Sequence, residues 1–132
     1  MTAAALVVDD EPAILRLVTI VLNELGFETL TARDAETAAE LLKSSKPDLV
    51  VTDVRLPGMD GVELARQIKA SRRLKKTPVL LMSAFSEPPK HQGDGFIAKP
   101  FDISELEEAF SRYVALLLNE ETENGQKTSS PG

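Results

Sequence analysis

Hydrophobic and polar positions along this chain alternate between short solid apolar runs and stretches in which apolar residues recur every three or four positions. Ala3 to Val8 is a solid run that reads as a buried strand, cut off by Asp9-Asp10-Glu11-Pro12. Pro12 suits the first turn of a helix, where no amide hydrogen is missed. Ile14, Val18, Val21 and Leu25, flanked by Leu15 and Leu22, then repeat at helical spacing up to Gly26, a good helix stop. Phe27 to Ala32 alternates weakly, as expected of a second strand nearer an edge. Asp34 can cap a helix carrying Ala35, Ala38, Ala39, Leu41 and Leu42, which ends around Ser44 to Pro47.

Leu49 to Asp53 is the most strand-like stretch: apolar, β-branched, ending on one carboxylate before the turn at Pro57-Gly58. Asp60-Gly61 opens a helix with Val62, Leu64, Ala65 and Ile68 inward. Val79 to Met82 predicts a fourth strand and Gly95 to Ala98 a very short fifth. Asp102 and Glu105 have capping-box spacing and open a last helix with Leu106, Ala109, Phe110, Tyr113, Val114 and Leu117 on its apolar side. Residues 1–120 read as one domain, and 121–132 as a polar tail expected to be disordered.

Short apolar strands alternating with amphipathic helices predict an α/β fold with a parallel sheet covered on both faces. Five strands in this length fit the doubly wound, flavodoxin-like order 2-1-3-4-5, with its switch point between the first and third strands. That order gathers Asp9, Asp10 and Asp53 beyond the carboxyl ends of those two strands.

Composition narrows the choice of chemistry. With 42% hydrophobic but only 5% aromatic residues, the core must be mostly aliphatic. No cysteine is present, which removes disulfides and thiolate metal sites. Together with the lack of a signal peptide, this predicts a cytoplasmic setting. No apolar run approaches the ~20 residues that span a bilayer, so no membrane partner is expected. The net charge of -6 argues against direct nucleic-acid binding. Arg72-Arg73 and Lys75-Lys76 read as a solvated connection between elements, and His91 is given no role.

Three crowded carboxylates repel one another and call for a cation. With only oxygen ligands at hand, Mg²⁺ is the expected ion. Ser83, at the end of the fourth strand, offers a hydroxyl, and Lys99, after the fifth, offers an ammonium. A divalent ion, a carboxylate nucleophile, an ammonium and a hydroxyl are the parts needed to transfer a phosphoryl group. Asp53 would be the attacking group and an acyl phosphate the product. Taken singly each residue has a plainer reading. Asp9 and Asp10 would cap the first helix, Asp53 would stabilise a turn, Ser83 would end a strand, Lys99 would be a surface lysine and Phe96 a core residue.

Four segments together decide otherwise: Val7 to Glu11, Val51 to Gly61, Leu81 to Ala84 and Lys99 to Phe101. In this order, on this strand pattern, the chain resembles the receiver domains of two-component response regulators, from Ala4 to about Leu118. The resemblance implies that Asp53 is the phosphoacceptor. It implies that Asp10, Asp53 and the backbone carbonyl of Arg55 hold Mg²⁺, with Asp9 acting through a metal-bound water. Ser83 matches the switch hydroxyl, Phe96 the switch aromatic and Lys99 the phosphate-contacting lysine, with a cis Lys99-Pro100 bond. The implied partners are a sensor histidine kinase or histidine phosphotransfer protein, and a downstream protein that the sequence does not name. No separate enzymatic substrate is expected. Phe85 and Arg55 occupy positions that tune phosphoryl hydrolysis in the family, and a bulky Phe85 predicts slow loss of the group.

One departure stands out. Only the twelve residues Ser83 to Asp94 separate the last two strands, and Pro88-Pro89 bars an uninterrupted helix there. The fourth helix of the family pattern is therefore predicted to be absent or a single turn. Dimerisation through that face is put in doubt, and the apolar end of the last helix is weighed as a partner surface or as core. Three other functions compete. A phospho-independent interaction module would not need the full acidic cluster. An aspartyl-nucleophile phosphatase of the haloacid-dehalogenase kind wants an acid where Arg55 stands. A flavin-binding electron carrier wants a phosphate loop where Asp9-Asp10-Glu11 would repel phosphate.

Overall fold

The computed structural model describes residues 3–129, with side chains described for 3–117. Its elements in chain order are β1 (Ala3–Val8), α1 (Pro12–Glu24), β2 (Phe27–Ala32), α2 (Ala35–Ser44), β3 (Leu49–Asp53), α3 (Gly61–Ala70), β4 (Val79–Ser83), β5 (Gly95–Ala98) and α4 (Ile103–Ser129). The strands form one sheet in the order β2-β1-β3-β4-β5, every neighbouring pair parallel. This is the doubly wound order that the pattern predicts, with its switch point between β1 and β3.

Alternation along the central strands splits the core into two layers. Ala5, Val7, Val51 and Met82 pack under α1 and α4 with Val18, Leu22, Leu106 and Phe110. Leu6, Val8, Val50 and Leu81 face α2 and α3 with Ala38, Leu42, Leu64 and Ile68. Because both faces are covered, β3 and β4 are buried along their whole length, which explains the apolar runs Leu49 to Val51 and Val79 to Met82 that precede their polar ends.

Helix starts follow local chemistry. Asp34 accepts the Thr37 amide at 2.6 Å, and Asp60 accepts the Glu63 amide at 2.8 Å. At α4, Asp102 accepts the Glu105 amide at 2.8 Å while Glu105 accepts the Asp102 amide at 3.2 Å, a reciprocal capping box. The α4 backbone continues to Ser129, into the segment read from sequence as a disordered tail from Glu121. The side chains from Leu118 onward, and residues 130–132, lie outside the described residues.

Residues 84–94 hold no helix. A handful of polar contacts ties this connection down instead. Asp94 clamps the start of β4, its carboxylate accepting the Val79 amide at 2.7 Å while its own amide donates to the Val79 carbonyl at 2.7 Å. Lys69 of α3 joins the same carboxylate at 2.7 Å and donates to the Thr77 carbonyl at 2.8 Å. His91, left without a role by the sequence, fastens the middle. Its Nδ1 accepts the Gly93 amide at 3.1 Å, so Nε2 carries the proton and faces Glu87 at 2.6 Å. Gly93 lies so close to β4 that a Cβ there would sit 3.2 Å from the Leu81 side chain and the Val79 carbonyl.

Candidate functional site

Register decides which side chains meet. Val8 pairs with Thr52, so Asp9 emerges beside Asp53. Asp53 pairs with Met82 and Ser83 with Ala98, so Ser83 and then Lys99 follow at the same rim. Asp9 is fully buried, and its two oxygens are both taken. Oδ1 accepts the Glu11 amide at 2.9 Å, and Oδ2 accepts Lys99 Nζ at 2.8 Å. Lys99, with a side chain only 9% exposed, also stands 3.4 Å from Asp53 Oδ2 and 3.5 Å from Glu11 Oε1. The Lys99-Pro100 peptide is cis.

Ligand oxygens of Asp9, Asp10, Glu11 and Asp53 all lie within 4.8 Å of one another. This all-oxygen, strongly anionic set fits a hard divalent cation such as Mg²⁺. Burial raises the Asp53 pKa, and the Asp9 charge raises it further, while Lys99 and the Arg55 amide pull the other way. For Lys99 burial is the largest single influence and lowers the pKa. The hydrogen bond and charge of Asp9, joined by Asp53, outweigh it and leave the pKa raised, so the ammonium stays charged.

The Asp53 backbone is held from two sides by residues that the sequence did not single out. Thr52 Oγ1 donates to the Asp53 carbonyl at 3.0 Å. Gly61 donates its amide to Val54 at 2.9 Å and presses against that same Asp53 carbonyl, where a Cβ would come within 2.1 Å. An Asp-Gly step at a helix start is the only sequence signal of this contact.

A cleft of about 250 Å³ opens above Asp53, lined by Asp10, Glu11, Arg55, Ala84, Phe85 and Lys99. The Arg55 guanidinium lies over the Phe85 ring, 4.1 Å from its centroid, although Phe85 is 57% exposed. Ser83 is buried and accepts the Phe85 amide at 3.0 Å, which leaves its own hydroxyl proton free to donate. Phe96, paired with Leu81 across the β4–β5 ladder, packs half-buried against the α2/α3 layer, outside the cleft. Glu11, whose reach to Lys99 no spacing rule gives, was missed as a site residue. A larger cleft of about 440 Å³, lined by Lys46, Lys76, Tyr113 and Leu116, lies at the opposite rim, away from these groups.

A model of the response regulator receiver domain matches residues 5–111. The chain belongs to that family. It is 33% identical to sporulation initiation phosphotransferase F of Bacillus subtilis, over 90% of this chain and 99% of that one. It is 36% identical to the chemotaxis protein CheY of Pseudomonas aeruginosa, over 81% and 92%. Among solved structures it resembles the Thermotoga maritima response regulator TrrA in complex with Mg²⁺-BeF, with a TM-score of 0.76, 33% identity and coverage of 85% of this chain and 99% of that chain. Receiver domains of this kind are phosphorylation-controlled switches of two-component and phosphorelay systems. Among the described residues, no helix is long and apolar enough to cross a membrane.

Proposed function

We propose that this receiver domain accepts a phosphoryl group on Asp53 from a histidine kinase or a histidine phosphotransfer protein and changes its affinity for a downstream protein in response. The observation that carries the reading is Lys99, gripped by Asp9 at 2.8 Å and standing 3.4 Å from the Asp53 carboxylate, at a rim crowded with acids. In the transfer, an Asp53 oxygen attacks phosphorus and the bond from phosphorus to the donor imidazole nitrogen breaks. The imidazole leaves with the electron pair, and an acyl phosphate remains on Asp53. Lys99 neutralises charge on the transferred group, and the Ser83 hydroxyl donates to it. Asp10, Asp53 and the Arg55 carbonyl would hold Mg²⁺, with Asp9 acting through a metal-bound water, and the ion would supply further neutralisation of phosphoryl oxygens.

Ser83 already carries the Phe85 amide, so a shift of its hydroxyl toward a phosphoryl group moves the start of segment 84–94 with it. Phosphorylation then acts by population shift, read at that segment and at Phe96 rather than at a helix. The reading includes no separate enzymatic substrate and a cytoplasmic setting. Incubation with acetyl phosphate, with and without Mg²⁺, read by intact mass, tests it. A Mg²⁺-dependent adduct that vanishes in Asp53→Asn is the expected result. No adduct in the wild type would favour a phospho-independent interaction module instead.

A further inference from the structure

Glu11 occupies an odd place. It is the N-cap residue of α1, with φ -96° and ψ 114°, yet its side chain makes no cap hydrogen bond. Residues chosen for that position normally turn a short side chain back onto the helix amides. Here Asp9 takes the Glu11 amide, and the Glu11 carboxylate reaches the other way, to 3.5 Å from Lys99 Nζ. Unlike Asp9 and Asp53, this carboxylate stays largely in solvent, 63% exposed.

Its position is shared by two clefts. Glu11, Ala84 and Lys99 line the cleft above Asp53, and they also line a groove of about 320 Å³ with Ile14, Leu17, Pro100 and Phe101. A protein donor has that apolar groove to rest on, and contact area there supports its approach. A small phosphodonor has only the charge of the cleft to guide it. Asp9, buried and not itself lining the cleft, completes an acidic set with Asp10, Glu11 and Asp53; against Lys99 and Arg55 these four carboxylates leave the site as a whole doubly negative, and one divalent cation brings it to neutral. Without Glu11 the loaded cleft would carry a net positive charge and attract phosphoanions.

We infer that Glu11 is a specificity-determining residue of the phosphoacceptor site, an exposed negative charge that disfavours small anionic phosphodonors relative to a docked protein donor. This inference rests on the reading of Asp53 as the phosphoacceptor. Specificity of this kind comes from repelling the wrong donor as much as from holding the right one. The charge acts through solvent, so its effect is modest and salt-dependent.

The test compares wild type, Glu11→Gln and Glu11→Asp in adduct formation by two small donors, acetyl phosphate and the less negatively charged phosphoramidate. Mg²⁺ affinity is measured by calorimetry for each, so that rates are compared at equal occupancy. Glu11→Gln is expected to accept acetyl phosphate about three- to tenfold faster at low salt, with a smaller gain for phosphoramidate. The gain should shrink toward unity at about 0.5 M salt, and Glu11→Asp should return most of the way to wild type. Equal rates for wild type and Glu11→Gln, or a gain indifferent to salt and donor charge, would overturn the inference while leaving Asp53 as the acceptor. No wild-type adduct, or an adduct that survives Asp53→Asn, would overturn the phosphoacceptor reading and the inference with it.

Discussion

The rim around Asp53 and the later part of the connection between β4 and β5, from Glu87 to Asp94, are built on opposite terms, and Lys99 and Asp94 mark them at the two ends of β5. At the rim, buried charges outnumber their partners: Asp9 and Asp53 share one ammonium, with Asp10 and Glu11 close by. In the connection, the polar groups that matter each have a partner. Asp94 meets Lys69 and the Val79 amide, and His91 meets Glu87 and the Gly93 amide. An under-neutralised cluster responds when charge arrives, whereas a satisfied network holds a shape. The contrast assigns reactivity to one end of the strand and stability to the other.

Substitutions at each end can break that division. The largest effect is expected from Lys99→Ala, which removes the ammonium standing 3.4 Å from the Asp53 carboxylate. Adduct formation with acetyl phosphate, followed by intact mass, should slow about 100-fold, the usual scale for losing one preorganised charge-stabilising donor. Gly61→Ala comes next, because its Cβ would fall 2.1 Å from the Asp53 carbonyl and force β3 and α3 apart. A loss of about 2–4 kcal/mol in urea unfolding is expected, together with slower phosphorylation.

Asp94→Ala probes the other end. It removes an acceptor from the Val79 amide and from the half-buried Lys69, and should cost about 1–3 kcal/mol. The phosphorylation rate should stay within about twofold of wild type, since five residue steps along β5 separate Asp94 from Lys99, roughly 17 Å. A parallel loss of phosphorylation would show that the two ends are not independent. Phe85→Ala should shorten the adduct lifetime several-fold by uncovering the Asp53 cleft, where the Arg55–Phe85 stack now stands. A wild-type lifetime short compared with minutes would already refute the shielding role.

The smallest effect concerns pH. The raised Asp53 pKa means that ionised Asp53 is worse placed in the folded protein than in the unfolded chain. The stability that it contributes is complete below the ordinary carboxylate value near 3.8 and is lost as pH rises through the folded value. In EDTA at neutral pH, thermal melts should therefore show Asp53→Asn more stable than wild type. That advantage should shrink on acidification through the carboxylate range, and Mg²⁺ should stabilise the wild type more than the variant.

Much of this was legible before folding. Solid apolar runs gave β1, β3 and β4 because strands covered on both faces admit little else. Asp34, Asp60 and Asp102 marked three helix starts because capping is a contact between near neighbours in the chain. Pro88-Pro89 and the short spacing announced the missing helix. Less legible were the Thr52 and Gly61 contacts on Asp53 and the two bonds that give His91 its part.

By itself, then, the order of residues determined what chemistry the protein carries: the carboxylates, the hydroxyl, the lysine and the strands that end in them. Those properties are local in the chain, set by period, capping and turn residues. The tertiary structure alone decided the allocation of charge. Asp9 rather than Asp53 holds Lys99 most closely, Glu11 turns from its helix toward the cleft, and Lys69 secures the connection that replaces a helix. These pairings join residues far apart in the chain, and strand register and burial select them from many alternatives that the sequence leaves equal.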